Sequence, residues 1–321
     1  MTVLSDNAEE DRGEQTPAPV IGMKPIHTLM LVGVAAIWGF NFVASKYAVQ
    51  SFAPFEGNAI RFLITFALLS PFFKRVPGQE LKLMALAVLM GGLHFGLLFY
   101  SVARGADISA LAITTQLNVP FSAILAVFLL RETVGWRRWA AITISFIGVV
   151  VMSFDPKVFE FWDAIGWTAF AAFCFGLGTV IMRSLGDVPA MTTQSWIALC
   201  GAISTIAISL LFEDGLSGNI ANASTISWTA IIYSALFSSV LGHGCVNWML
   251  QRYDVAMVTP YFLLMPVFAI SGGWLFFDEG LTLQILTGGV LTMVGVTIVT
   301  LRNLKKEHTE KPAAPLTDVD P

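Results

Sequence analysis

The sequence predicts an all-α integral membrane protein whose ten transmembrane helices form two inverted five-helix repeats. Three observations carry that prediction. The 321 residues are 55% apolar and only 12% charged, with a mean hydropathy of +0.72, too apolar for a water-solvated chain of this length. Ten apolar runs approach the roughly 20 residues that a helix needs to cross hydrocarbon. Finally, residues 107–152 superpose without a gap on residues 254–299 by a shift of 147. The shift brings Asp107 onto Asp254, Glu132 onto Glu279 and Gly148 onto Gly295, and Ala141 and Ser145 onto Gly288 and Thr292. Only 6 of the 46 aligned residues are identical, so the spacing of the landmarks carries the argument. Two equal halves with landmarks at matching points are how membrane transporters are commonly built.

Residues 1–26 are polar, acidic and proline-containing, without the basic start and apolar core of a cleaved signal peptide. They are expected to form a disordered cytoplasmic tail. The runs then fall at about 27–46, 55–73, 83–103, 108–130, 137–154, 162–182, 189–212, 226–250, 255–277 and 281–301. This divides the chain into a first repeat, 27–154, a second, 160–302, and a cytoplasmic tail, 303–321. With both termini inside, the inner segments hold 14 of the 18 Lys and Arg, and the outer ends hold only Lys46, Arg104 and Lys157. Positive residues are retained on the cytoplasmic side, so this bias orients the chain in the inner, cytoplasmic membrane and turns the second half upside down. Arg61, left over, lies within the second run.

Composition also narrows chemistry. Much of the net charge of −4 sits in Glu9, Glu10, Asp11 and Glu14, so it says little about partners, and nothing indicates nucleic-acid binding. Cys174, Cys200 and Cys245 all lie in apolar runs and are read as small buried hydrophobes. The sequence has no phosphate-cradling loop, metal-binding His pair or intramembrane Ser/His/Asp set. A cofactor, a bound metal and direct ATP drive are therefore not expected, and a membrane-embedded enzyme is the weaker hypothesis. The expected partners are a small-molecule solute and the lipid bilayer, and the oligomeric state is left open.

The fifth and tenth runs carry Ala141-x3-Ser145-x2-Gly148 and Gly288-x3-Thr292-x2-Gly295, small residues that let helices pack closely in lipid. They read as scaffold. The first, fourth, eighth and ninth runs carry polar residues and prolines well inside the bilayer, where an unpaired polar group is costly, and these are the candidates for a solute path.

Trp38-Gly39-Phe40-Asn41-Phe42, Arg61-Phe62, Leu130-Arg131-Glu132 and Phe277-Asp278-Glu279 resemble the EamA-type permeases of the drug/metabolite transporter superfamily. The resemblance covers about residues 27–301. Tyr253-Asp254 followed by Pro260 and Pro266 is most similar to the exporters of cysteine-pathway metabolites and other amino acids. It implies a secondary transporter that exports small polar metabolites by alternating access. Drug or vitamin- and nucleotide-type permeases of the same fold stand as the alternative.

Candidate residues follow from position and chemistry. Trp38, Asn41 and Phe42 offer an amino-acid-like solute a stacking face and hydrogen bonds, or else pack between helices. Gln116 and Asn118 flank the turn before Pro120, which cannot donate a backbone bond, so amides and freed carbonyls make either a solute site or a polar seam. Pro260 and Pro266 bracket Tyr261 in a helix that is broken or kinked. His94 and His243 stand at near-matching points of the two halves beside glycines. They would either couple transport to protons, since imidazole titrates near neutral pH, or stay neutral and bonded to carbonyls. Asn247, one turn past His243, serves either role. Arg61 needs a partner, for which carbonyls of a neighbouring helix are expected. Lys46 is expected to snorkel to the interface, and Trp136, Trp139, Trp162 and Trp228 to form interfacial belts.

Overall fold

The computed structural model describes residues 23–132, 134–213, 219–253 and 255–310, and every regular element among them is helical. Most of both predicted tails, and Asp254, lie outside the described residues. The first half contains α1 (Pro25–Ala48), α2 (Pro54–Leu69), α3 (Glu80–Ala103), α4 (Ile108–Leu130) and α5 (Trp136–Ser153). The second contains α6 (Trp162–Arg183), α7 (Ala190–Phe212), α8 (Thr225–Leu250), α9 (Thr259–Phe277) and α10 (Leu283–Glu310). Eight of these are long and apolar enough to cross a membrane. The other two are α2, with 16 residues, and α5, which opens on Trp136-Arg137-Arg138.

Hydrogen bonds gather the connections at two ends. At one, the Ser227 hydroxyl donates to the Tyr47 carbonyl at 2.8 Å and Arg104 pairs with Asp163 at 2.9 Å. There too the Glu213 carboxylate caps α2, accepting from the N–H groups of Phe55 and Glu56 at 2.9 and 3.1 Å. At the other end, His27 meets the Tyr253 hydroxyl at 2.6 Å, and the Trp196 indole and the Lys82 ammonium donate to the carbonyls of Lys74 and Ser184. Successive helices therefore run up and down between these ends.

The equivalences seen in sequence reappear as backbone irregularities. α3 widens into π-helix over Val88–His94 and α8 over Ser234–Gly242; shifted by 147, the first range becomes 235–241. α4 is broken at Gln116-Leu117 and resumes at Asn118, while α9 begins as 3-10 helix over Thr259–Leu264 and resumes at Met265, a shift of 147 again. Pro120 explains the first break, because it has no N–H for the Gln116 carbonyl, which accepts from Val119 at 3.2 Å instead. α4 and α9 then end on the only described non-glycine residues with positive φ, Arg131 at 55° and Asp278 at 53°, each followed by a glutamate.

α5 and α10 cross through their small residues. Thr292 Oγ1 lies 3.3 Å from the Ser145 carbonyl oxygen, and those positions are equivalent. A Cβ added at Gly148 would strike Thr292 and the Gly288 carbonyl, and one at Gly295 would strike Ser145 and the Ala141 carbonyl. Adding 147 to one half's numbers turns the first set of contacts into the second. Because 152 meets 288 while 141 meets 295, the two helices run antiparallel.

Candidate functional site

The polar candidates of α1, α2 and α8 meet at the wide turn of α8. Trp38 Nε1 donates to the Ser238 carbonyl at 3.1 Å. Gly242 makes the room, since a Cβ there would lie 2.6 Å from the same nitrogen. The half-buried indole faces the His243 ring at 5.1 Å and Phe262 at 5.2 Å. On the next residue of α8, the Ser239 hydroxyl accepts from Arg61 Nε at 3.2 Å and Nη2 at 3.0 Å. Consecutive serines thus join the aromatic wall to the one arginine expected within a span.

Arg61 is 0% exposed, and its Nη1 has no partner. The Phe95 ring lies 4.3 Å from its guanidinium carbon and the Phe62 ring 5.2 Å. The expected carbonyl partner is corrected to a hydroxyl and two aromatic faces. Ser239 sits 178 residues away, where no local pattern indicates it.

The other candidates distribute as follows. Asn41 is buried, and its Oδ1 has no hydrogen-bond partner. Phe42 lies in the largest apolar cluster, with Val43, Phe55 and Leu97. Gln116, also buried, points its amide nitrogen at Met293 Sδ of α10 at 3.9 Å. The Asn118 backbone approaches α6 at Gly176. Tyr261 packs with Phe262 on the small cluster of Leu31, Met249 and Val258, and Asn247 is half-buried one turn beyond His243. His94 is held by a hydrogen bond of 2.9 Å between Nδ1 and the Ala171 carbonyl, which makes Nδ1 the protonated nitrogen, and lies against Phe95 and Phe175. His243 is half-buried beside Trp38.

Two carboxylates link the halves. Glu279, at the end of α9, accepts from the Ile108 N–H at 2.9 Å and from the Ser109 N–H and hydroxyl at 3.3 Å, and so caps α4. It also takes Lys46 of α1 at 2.8 Å, which corrects the expectation that this lysine snorkels. Its equivalent, Glu132 at the end of α4, takes Arg183 of α6 at 2.7 Å and lies 4.0 Å from Arg138. In each case a fourth helix of one half is tied to the first helix of the other. A hollow of about 290 Å³ opens at the Lys46 pair, lined also by Asp107, Lys157 and Glu160. Burial, and after it the nearby Glu279 carboxylate, raise the Asp107 carboxyl above its ordinary value. An apolar groove of about 420 Å³ runs between Pro266–Ile270 and Ile285–Ile298. Trp38, Arg61 and His243 line neither hollow. Among the described residues no group of His, Cys, Asp and Glu is arranged to hold a metal.

The sequence profile of the EamA-like transporter family matches residues 26–154 and again 162–301. A protein of Escherichia coli K12 named a probable amino-acid metabolite efflux pump is 28% identical over 83% of this chain and 91% of its own length. A Salmonella typhimurium protein of the same name is 27% identical over the same shares. An uncharacterized transporter of Bacillus subtilis is 27% identical over 87% of this chain and 97% of its own. A solved crystal structure, 16% identical, superposes with a TM-score of 0.58 over 89% of this chain and the whole of that one.

Proposed function

The chain belongs to the EamA-like transporter family, and from that premise we propose a secondary transporter that exports amino acids or related small polar metabolites by alternating access. Family membership makes it a multi-pass membrane transporter and not an enzyme. The solute class is drawn from the two enterobacterial relatives named as amino-acid metabolite efflux pumps.

The observation that carries alternation is the reciprocal pairing of Glu279 with Lys46 and of Glu132 with Arg183. Equivalent carboxylates tie the halves together at opposite ends, so releasing one while keeping the other would open the protein to one side at a time. Ten spans in two inverted sets of five are part of the same reading. α2 packs along α7 and α5 along α10, so each of the two shorter helices lies beside a long apolar one. The antiparallel crossing of α5 and α10 supports inversion, and the Lys and Arg bias supports cytoplasmic termini in the inner membrane. The path runs past Trp38, Asn41, Gln116, Asn118, His243, Asn247 and Tyr261, where polar groups meet broken or widened helices.

Proton coupling is assigned to His243. Its ring faces Trp38, whereas His94 spends Nδ1 on a backbone carbonyl between two phenylalanines. The test is uptake by inside-out vesicles, with and without the protein, for a panel of amino acids, repeated at several external pH values and with an uncoupler. Accumulation that depends on the protein is expected. His243→Gln should flatten the pH profile and the uncoupler response, while His94→Gln should keep both and lower thermal stability. Absence of uptake for every solute would contradict export, and an unchanged profile in His243→Gln would remove the coupling role.

A further inference from the structure

We propose that Arg61 is the anchor for a carboxylate on the transported solute. The proposal rests on the transporter reading above and adds to it the charge of the cargo. A guanidinium has five N–H donors in a fixed plane. The Ser239 hydroxyl takes the Nε donor and one from Nη2, which leaves the second Nη2 donor and both on Nη1, the end-on fork that fits the two oxygens of a carboxylate. Nη1 has no partner.

No ion pair among the described residues involves Arg61, and the charge sits at 0% exposure in the middle of α2. The groups that feel it most closely are the rings of Phe62 and Phe95 and, further off, His94 and His243, none of which can neutralise a cation. A lone cation at that depth is strongly unfavourable and is ordinarily paired within the protein. Here the missing partner arrives with the solute. The Trp38 indole, held on the adjacent Ser238 carbonyl, then supplies an aromatic face beside the anchored carboxylate, on which the rest of an amino acid can lie.

The experiment uses the purified full-length protein in proteoliposomes preloaded with L-serine, with counterflow of labelled L-serine competed by L-serine, L-serinamide and ethanolamine. Matching sets built on leucine and phenylalanine cover the case in which serine is not carried. In the wild type the acids should compete at concentrations at least about tenfold below the amides and amines, as one charge-assisted pair is worth about that much. Arg61→Gln should lose this preference, and Arg61→Lys, which keeps the charge without the fork, should lie between. Amides and amines that compete as well as acids in the wild type would overturn the carboxylate assignment while leaving transport standing, as would a preference retained in Arg61→Gln. Should Arg61→Gln not fold, a full wild-type preference in Arg61→Lys overturns the fork and a reduced one supports it. Failure to exchange any of the nine solutes overturns the transporter reading together with it.

Discussion

Replacing Gly148 or Gly295 by leucine should give a protein that is recovered poorly and melts well below the wild type. Overfilling an ordinary core site costs about 1–3 kcal/mol when side chains can shift. Here they cannot, because even a Cβ at Gly148 falls 2.5 Å from the Gly288 carbonyl oxygen and one at Gly295 falls 2.5 Å from that of Ala141. The backbones of α5 and α10 must separate, and separation removes the small-residue contact that joins the halves. The two substitutions should act alike, since their surroundings are related by the same shift of 147. The solute preference of whatever folds should be unchanged. Asn41→Ala and Gln116→Ala should do the reverse, altering preference with little change in melting. Thermal unfolding in detergent, beside competition counterflow, distinguishes the two classes.

Glu279→Gln should cut transport far more than Glu132→Gln. The Glu279 side chain is 4% exposed and Lys46 22%, so removing the charge leaves a largely buried ammonium without its counter-ion and weakens the cap on α4. Breaking such a pair costs on the order of 3 kcal/mol, which shifts a two-state equilibrium by roughly a hundredfold. Glu132 holds Arg183, 45% exposed, at 2.7 Å in a solvated pair of the kind that contributes about 1 kcal/mol or less, and the buried Arg138 stands off at 4.0 Å, at the outer limit of an ion pair, so less is lost there. Counterflow rates for the single variants, and for Lys46→Met combined with Glu279→Gln, form a double-mutant cycle. Partial recovery in the double variant would show that the pair acts as a unit, and strictly additive losses would show that it does not.

Sequence reading located the helices because long apolar runs and their charged ends are local signals. It also placed the repeat: Glu132 and Glu279, and the small residues around Gly148 and Gly295, proved to be points of contact between the halves. Their partners were not legible. Lys46 reads as an interfacial lysine because its carboxylate lies 233 residues away. Arg61 reads as a charge seeking carbonyls because a serine hydroxyl on a distant helix leaves no trace in its own segment. The π-helical turns of α3 and α8 were equally hidden, since one extra residue in a turn barely disturbs an apolar period. The breaks in α4 and α9 were foreshadowed by Pro120, Pro260 and Pro266, whose missing N–H groups act on the residues just before them.

The proposed inversion of the two halves would let one sequence pattern serve both sides of the membrane, and it is tested at equivalent exposed positions. Arg137 and Gln284 are related by the shift of 147 and begin α5 and α10. With Cys174, Cys200 and Cys245 replaced by serine, a single cysteine is placed at one position or the other and exposed to a membrane-impermeant maleimide. The cysteine of Gln284→Cys should label on intact cells, and that of Arg137→Cys only in inside-out vesicles. Labelling of both from the same side would mean that the repeats are parallel, and alternating access between inverted halves would be wrong.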